Sequence, residues 1–370
     1  MTKDIVQIGI LGACGARMNF SHLPNLQANP RARFRAFCDL NEAGARLIAE
    51  TKGYEVGCIT CDIDRVVEDP SVDLLVAGLP HEIHKEVILK ACRAGKDLFI
   101  EKPMVLHPEE SDEVLQAVKE SGIRLMIGHN RRFAPTYTDA KQIYRESMGG
   151  KPAVLSYRVA DPLPQLYAEK PEGGRIYGEA CHFFDLLSWF LDAEPVRIYN
   201  EGGLEDFHIT VKFSDGSRGV ITSSSQGGMG YPKELFECFA DYQSIIVEGN
   251  MCLTHSGRCG QVTVKNYPLF FDPYPELSVD LPGYRRRMAN YGKDMFEGKF
   301  EEFSHPSGYK GHYEELDECI DAVLNNRPFS ANEIDGARAV FCCEAAVQSA
   351  GSGMPVTLDP GRYGGNNGGS

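Results

Sequence analysis

The 370-residue sequence lacks several features that mark particular classes of protein. It has no apolar run near the roughly 18 residues that a membrane-spanning helix requires, which argues against a transmembrane protein. The first residues, "MTKDIVQIGI", lack the long apolar core and small-residue cleavage site of a secretory signal. Lys and Arg number 38 against 52 Asp and Glu, a net charge of −14, and this shortage of positive charge argues against a nucleic-acid partner.

The twelve cysteines follow no pairing pattern. The C-x-x-C formed by Cys58 and Cys61 lacks the second pair or the histidine partner of a zinc site, so no metal site is predicted there. The others are scattered through predicted strands and helices, where a thiol behaves as a small core residue. Because no secretory signal is seen, a reducing cytoplasmic location is expected.

Length and pattern predict two domains followed by a tail. A chain of 370 residues exceeds the roughly 250–300 residues at which single hydrophobic cores stop growing. Residues 1–128 alternate apolar strand patterns with helical patterns, which predicts an α/β Rossmann domain with a doubly wound parallel sheet. Residues 129–360 predict an α+β domain with an open, mainly antiparallel sheet, and Asp215-Gly216 marks a hairpin within it. The glycine-rich residues 361–370 predict a flexible tail.

The opening segment "IVQIGILGACGARMNFSHLP" is a short apolar strand that runs into a glycine-rich turn, as in a dinucleotide-binding fold. Read from Gly12, the usual G-x-G-x-x-G would place glycine where the chain has Cys14 and Arg17. Gly12 can make the tight turn, Gly15 can admit the pyrophosphate by a different path, and Arg17 can add a charge-assisted contact. A strand with a glycine-rich exit and no ligand is the alternative. The predicted cofactor loop comprises Gly12, Ala13, Cys14, Gly15, Ala16 and Arg17.

Asp39 ends the second predicted strand, 24 residues beyond Gly15 and close to the ~20-residue spacing of the acid that binds ribose. A carboxylate there accepts from the ribose hydroxyls and repels a 2′-phosphate, which favours NAD over NADP. Two alternatives stay open: Asp39 can cap the helix that starts near Asn41, and Arg17 can accommodate a 2′-phosphate.

Lys102 follows another strand directly, in Glu101-Lys102-Pro103. Ligands of open α/β sheets bind outside the carboxyl ends of the strands, so this lysine lies at a functional edge. Exposed lysines at strand ends are common, and residue type alone does not separate the two cases.

A predicted helix around 178–191 carries Glu179, His182 and Asp185 at i, i+3 and i+6, roughly on one face. Such a stripe of acid, imidazole and acid can be a general base with its orienting groups. A satisfied, partly buried histidine and a Zn or Mn site are the alternatives.

Together these segments resemble the Gfo/Idh/MocA family of glucose–fructose oxidoreductase and inositol dehydrogenase relatives, over nearly the whole chain. The matching pieces are "IGILGACG…SHLP", "CDLN", "LPHEIH", "EKP", "GHNRRFAPTY", "GEACHFFDLLSWFL" and the closing stretch from "GHYEELDECIDAV" onwards.

The resemblance implies an NAD(P)-dependent sugar or polyol oxidoreductase. Lys102 matches the family lysine that positions the reacting hydroxyl and stabilises the developing alkoxide. His182 matches the general acid/base, and Asp185 the acid three residues after it. Substrate or cofactor contacts are implied for Asn130 and Arg158. Further implied cofactor contacts are Leu79, Pro80, His84 and Glu101.

The chain departs from the family pattern at two places. The family aspartate four residues before the histidine is replaced by Gly178, and Glu179 is the candidate to take its role in binding substrate. The histidine before "LP" lies ten residues after Gly12, where the family usually has eight, so the phosphate contacts cannot be transferred atom for atom.

The expected function is hydride transfer between NAD and a secondary hydroxyl of a sugar, polyol or glycoside. One alternative is a retained NAD that serves glycoside cleavage or sugar–sugar oxidoreduction in a closed redox cycle. Another is a non-catalytic nucleotide-sensing scaffold, against which Lys102 and His182 argue.

Substrate specificity is predicted to lie in loops at 160–177 and 267–310. The basic run "YRRRM" at 284–288 is interpreted as a solvated face or an interface contact. An open sheet with an alternating apolar face predicts a homo-oligomer, a dimer or tetramer formed through that sheet.

Overall fold

The computed structural model describes residues 4–160, 174–228, 230–297, 299 and 306–364. The backbone packs into two compact units, the first formed by Met1–Asn130 with His312–Val340 and the second by Arg131–Gly311 with Phe341–Ser370. The predicted loop at 160–177 lies largely outside the described residues, as does most of the predicted tail.

The strands are given in chain order: β1 (Val6–Leu11), β2 (Ala32–Cys38), β3 (Cys58–Thr60), β4 (Leu74–Ala77), β5 (Asp97–Ile100), β6 (Leu125–Ile127), β7 (Val154–Ala160), β8 (Pro195–Gly202), β9 (Phe207–Phe213), β10 (Arg218–Ser224), β11 (Glu234–Ala240), β12 (Gln243–Glu248), β13 (Cys252–Ser256), β14 (Val262–Asn266), β15 (Leu269–Phe271), β16 (Ser307–Gly308) and β17 (Val356–Thr357).

The α-helices are α1 (Leu23–Ala28), α2 (Glu42–Lys52), α3 (Ile63–Val67), α4 (His84–Ala94), α5 (Pro108–Ser121), α6 (Pro135–Ser147), α7 (Cys181–Leu191), α8 (Leu281–Phe296), α9 (His312–Leu324) and α10 (Glu333–Ser352). Two π-helical turns, Met18–His22 and Ile176–Ala180, lead into α1 and α7. Single 3₁₀ turns occupy His81–Ile83, Asn130–Phe133 and Pro360–Tyr363.

The first unit contains a six-stranded parallel sheet with the order β3-β2-β1-β4-β5-β6. Every residue of β4 is buried, and so are five of the six in β1, which explains their near-continuous apolar sequences. The strand order reverses between β1 and β4, so the loops leaving these strands meet at the switch point where open α/β sheets bind ligands. The predicted Rossmann domain is confirmed.

The predicted division of the chain differs from the structure near its C-terminal end. α9 was assigned by sequence to the second domain, but it packs with the first unit, against α1 and β1. Arg31, just beyond α1, binds Asp317 and Asp321 of α9 at 2.6 and 2.8 Å. Local sequence patterns do not report such a return of the chain, because the partners are nearly 290 residues apart.

The second unit is built on a nine-stranded sheet with the order β14-β13-β12-β11-β7-β10-β9-β8-β17. All neighbours are antiparallel except β7 and β10, so the predicted open, mainly antiparallel sheet is confirmed. The Asp215-Gly216 turn joins β9 to β10, as the sequence predicts. Gly216 there has φ +92°, a conformation that side chains rarely adopt.

α7 packs on one face of this sheet through aromatic rings. Tyr157 of β7 stacks on Phe183 with ring centroids 4.1 Å apart, and Phe236 of β11 meets Phe190 edge-to-face at 5.0 Å. All but one of the eleven residues of α7 are buried, in keeping with its apolar sequence. The helix that carries His182 is therefore a fixed part of the core.

The interpretation of "YRRRM" as a solvated face or interface contact was wrong for its third arginine. Arg287 lies in α8, inside the stretch 267–310 that the sequence suggested to be loop, and its side chain is fully buried. It binds Asp272 at 2.8 Å and the carbonyl of Ser278 at 2.7 Å. Pro282 and two glycines obscured the helical pattern of α8 in the sequence.

Candidate functional site

The turn after β1 lies directly against the turn after β4. Gly12 has φ +85°, and a Cβ added there would lie 2.3 Å from the carbonyl oxygen of Gly78. At Gly15 an added Cβ would lie 3.2 Å from the same oxygen. Gly12 is thus required both by backbone conformation and by space, as a turn that admits a pyrophosphate needs.

The opening loop leads into a helix that contains a π-helical turn. The N–H of Leu23 bonds to the carbonyl of Met18, five residues earlier, within a helix that runs from 16 to 28. His22, the last residue of this turn, is fully buried. The Asn19 amide donates to the carbonyls of Ala13 and Gly15, each at 3.0 Å, and braces the loop.

Asp39 closes the same loop from the end of β2. One carboxylate oxygen accepts from the N–H of Cys14 at 2.8 Å, and the other accepts from the N–H of Asn41 at 2.9 Å. The cap of α2 is instead the Asn41 side chain, which accepts from Gly44. Burial, and secondarily the negative charge of Asp39, raises the pKa of the Cys14 thiol to about 11.

Glu101 and Lys102 follow β5 at the same edge of the sheet. His22 Nε2 lies 2.7 Å from one oxygen of Glu101, and the N–H of Lys102 donates to the other at 3.3 Å. Burial by itself raises the pKa of Glu101, but the His22 hydrogen bond and the charges of His22, Arg17 and Lys102 bring it well below its ordinary value. An ionised Glu101 therefore anchors the backbone from which Lys102 projects.

His84 lies beneath these loops. It is fully buried, its Nδ1 is 2.8 Å from the carbonyl of Pro103 and its Nε2 is 3.1 Å from the carbonyl of Leu79. Burial lowers the pKa of His84 and favours the neutral ring. The histidine that the sequence suggested as a cofactor contact thus connects two loops, while Leu79 and Pro80 lie on the more exposed part of the same turn.

Arg17 and Asn130, from opposite ends of the Rossmann segment, meet at His312. Arg17 Nη1 is 3.5 Å and Asn130 Nδ2 is 3.3 Å from His312 Nε2. On the other side of the ring, Nδ1 is 3.2 Å from a carboxylate oxygen of the fully buried Glu315. Sequence reasoning missed both His312 and Glu315. Their i, i+3 spacing at the start of a helix, directly after Gly311, was the available signal.

In the second unit, the structure places Glu179 in the π-helical turn Ile176–Ala180 and His182 one turn later, in the first turn of α7. Only 5 % of His182 is exposed, so the core holds its ring in place. Glu179 accepts from Lys233 Nζ at 3.1 Å and lies 3.9 Å from Arg131. Because two cations hold the Glu179 carboxylate in place, it can serve as a fixed hydrogen-bond acceptor next to His182.

This arrangement continues into a buried polar network around Glu234 that the sequence did not reveal. Arg131, Lys310 and the Tyr157 hydroxyl all bind the Glu234 carboxylate, at 3.0, 2.8 and 2.7 Å. Burial opposes ionisation of Glu234, but Arg131 and Lys310 bring its pKa well below the ordinary value. Burial lowers the pKa of Lys310, although the negative charge of Glu234 opposes part of this shift.

Asp185 and Arg158 make contacts with protein groups in the structure. Asp185 is fully buried and binds both Nε and Nη2 of Arg132, so its carboxylate ties α7 to the turn before α6. Arg158 pairs in register with Leu235, one residue away from Tyr157, and therefore lies on the sheet face opposite α7. Its guanidinium stacks on Tyr231 and donates to the carbonyl of Pro232.

A glycine turn at the switch point of a 3-2-1-4-5-6 sheet, closed by an acid at the end of β2, defines a dinucleotide-binding protein. The family model described as "Oxidoreductase family, NAD-binding Rossmann fold" (GFO_IDH_MocA) matches residues 6–129. The chain is 26% identical over 97% of its length to an uncharacterized oxidoreductase, YrbE, of Bacillus subtilis, of which it covers 98%. It is 27% identical over 95% of its length to inositol 2-dehydrogenase of Rhizobium meliloti, of which it covers 99%.

Among solved structures, an aldose-aldose oxidoreductase from Caulobacter crescentus complexed with glycerol superposes with a TM-score of 0.75 at 17% identity. The match covers 96% of this chain and 100% of that one, and at this identity it shows the fold. Residues 6–129 thus match the Gfo/Idh/MocA family of NAD-binding oxidoreductases, and the similarity to an inositol 2-dehydrogenase of that kind extends over nearly the whole chain. In the part of the chain that the structure describes, no helix is long and apolar enough to cross a membrane.

Proposed function

We propose that this chain is an NAD-dependent dehydrogenase that transfers hydride between a secondary hydroxyl of a sugar, polyol or glycoside and the nicotinamide. The observation that carries the proposal is the turn at Gly12, where any side chain would strike Gly78, closed by Asp39 and followed at the same sheet edge by the anchored Glu101-Lys102. The full-length similarity to an inositol 2-dehydrogenase supports the substrate class.

The residues of the opening loop fit a dinucleotide. Backbone N–H groups at the start of the helix from 16 to 28, together with Arg17, would hold the pyrophosphate. The carboxylate of Asp39 would receive the ribose hydroxyls and repel a 2′-phosphate, so NAD is favoured over NADP. When bound, NAD supplies the hydride acceptor.

Three side chains of this protein act on the substrate. The His182 imidazole takes the hydroxyl proton as general base, and the Glu179 carboxylate is the candidate substitute for the family aspartate in orienting the substrate. The Lys102 ammonium stabilises the negative charge that develops on the oxygen. A positioned general base contributes about 10²–10⁴-fold to the rate.

The test is absorbance at 340 nm while NAD and then a panel of sugars, polyols and glycosides are added to the purified protein. NADH that forms with one substrate, and forms about 10²–10⁴-fold more slowly in His182→Ala, would support the proposal. His208→Ala, on the exposed side of β9, is the matched control and should keep wild-type activity.

Other outcomes support other functions. No change at 340 nm, with tightly held NAD released on denaturation, would favour the closed redox cycle for glycoside cleavage or sugar–sugar oxidoreduction. A Lys102→Ala variant with unchanged biological behaviour would favour the nucleotide-sensing scaffold and contradict the dehydrogenase.

A further inference from the structure

We propose that His312 is a positioning residue of the cofactor site, which holds Arg17 and Asn130 through the lone pair of its Nε2 while Glu315 sets its tautomer. The proposal rests on the proposed function, since it assumes that the loop containing Arg17 binds a dinucleotide. The effect of His312 on the cofactor is transmitted by its neighbours Arg17 and Asn130.

The donors and acceptors around the ring select one protonation state. Arg17 and the Asn130 amide nitrogen can only donate, and both lie at Nε2, at 3.5 and 3.3 Å. Nε2 must therefore be the unprotonated, accepting nitrogen. The buried carboxylate of Glu315, 3.2 Å from Nδ1, accepts a hydrogen bond from the N–H at that nitrogen. These contacts assign a neutral His312 with its hydrogen on Nδ1.

The position of His312 connects three parts of the first unit. It is the first residue of α9, Arg17 lies at the start of the loop helix, and Asn130 follows β6. The ring also meets His22 edge-to-face, with centroids 6.1 Å apart, and His22 in turn binds Glu101. His312 therefore contacts both the phosphate-loop helix and the histidine that anchors the Glu101-Lys102 segment.

The consequence concerns affinity for the cofactor. Arg17 is exposed and lies in the first turn of the helix against which a pyrophosphate would rest. A long arginine side chain loses conformational freedom when it binds a phosphate. The His312 acceptor already restricts the Arg17 side chain before the cofactor binds, so less freedom is lost on binding. Loss of the His312 acceptor should therefore weaken dinucleotide binding about 3–10-fold, the effect of one ordinary hydrogen bond.

The experiment is titration of the full-length protein with NADH, followed by nucleotide fluorescence, without any sugar substrate. His312→Leu should raise the Kd for NADH about 3–10-fold, whereas His312→Gln, whose amide oxygen can accept from Arg17, should restore much of the affinity. His255→Leu removes a histidine that bonds to Gln243 in the second unit, and should leave the Kd unchanged. His312→Phe replaces the leucine variant if that variant does not fold.

A double-mutant cycle separates positioning from general damage. If His312 acts through Arg17, then His312→Leu should add little to the loss already caused by Arg17→Ala. In turnover, the KM for NAD should rise while the KM for the hydroxyl substrate and kcat stay near wild type.

Two results would overturn the assignment in different ways. If the wild-type protein binds NADH and His312→Leu binds it with the same Kd, the role of His312 alone is overturned. Fully additive losses of affinity for His312→Leu and Arg17→Ala in the double-mutant cycle would overturn it as well. Wild-type protein that binds neither NADH nor NADPH would overturn the proposed function and the role of His312 together.

Discussion

At the scale of single residues, a cysteine occupies the place where the usual dinucleotide motif has its second glycine. Cys14 fits because its backbone N–H donates to the Asp39 carboxylate at 2.8 Å. Its thiol lies 3.6 Å from the carbonyl of Asn41. The loop thus keeps the backbone donor that a turn closed by an acid requires.

The raised pKa of Cys14 predicts low reactivity at neutral pH. Burial and the Asp39 carboxylate raise this pKa to about 11, so the reactive thiolate is scarce below pH 9. Peptide mapping after iodoacetamide treatment should show Cys14 labelled far more slowly at pH 7.5 than the exposed Cys61 and Cys259, with labelling that accelerates as pH rises toward 10.

The variant Asp39→Asn supplies the control for that experiment. It removes the charge that disfavours the thiolate, so the pKa of Cys14 should fall and its labelling should become faster at every pH below 10. Labelling of Cys14 as fast as that of Cys61 in the unmodified protein at pH 7.5 would contradict the prediction.

At the scale of secondary structure, α7 is held to the turn before α6 by a buried ion pair. Arg132 binds Asp185 through both Nε and Nη2, and the side chains are 3 % and 0 % exposed. The motif "NRRF" and the helix of His182 are thereby joined by charge, whereas aromatic rings join the helix to the sheet.

Removal of one partner of this pair should be costly. Arg132→Met leaves the Asp185 carboxylate buried without its cation, so the free energy of unfolding should fall by about 3–5 kcal/mol. The double variant Arg132→Met/Asp185→Leu should recover most of the loss, because both charges are then absent. Urea denaturation followed by circular dichroism measures each value.

Arg145→Met is the matched control for the buried pair. Arg145 also bonds to an aspartate, Asp192, but both side chains are more than half exposed. Its replacement should cost no more than about 1 kcal/mol. Equal losses for Arg132→Met and Arg145→Met would show that burial does not govern the strength of the first pair.

At the scale of the whole molecule, the second unit presents a sheet face that suits association. Val154 and Phe239 are register partners on the face opposite α7, with exposed fractions of 57% and 42%. Apolar side chains paired on an open sheet favour a second copy of the same surface, because a two-fold axis makes such a face complementary to itself.

We therefore predict that the protein is a dimer or tetramer formed through this face. Phe239→Glu should yield monomers at micromolar concentration in size-exclusion chromatography with light scattering, since it places a charge in the centre of the contact. Leu40→Glu, at a residue 95% exposed in the first unit, is the control and should leave the mass unchanged. A monomeric wild-type protein would contradict the prediction.

How much the sequence could predict depends on the distance over which each feature is determined. By itself it determined the strands of the first sheet except β3, the hairpin at Asp215-Gly216, the Gly12 turn and the family motifs that contain Lys102 and His182. These features depend on alternation, turn chemistry and spacing within short segments, which a single chain displays directly.

Only the tertiary structure decided which of the candidate residues meet. It buried Asp185 against Arg132, placed Arg158 on the far side of the sheet from Tyr157, and brought His312 to Arg17 across 295 positions of sequence. It also brought His22 to Glu101, 79 positions later in the sequence. Such contacts depend on how distant segments pack, and side-chain type and local periodicity carry no record of that packing.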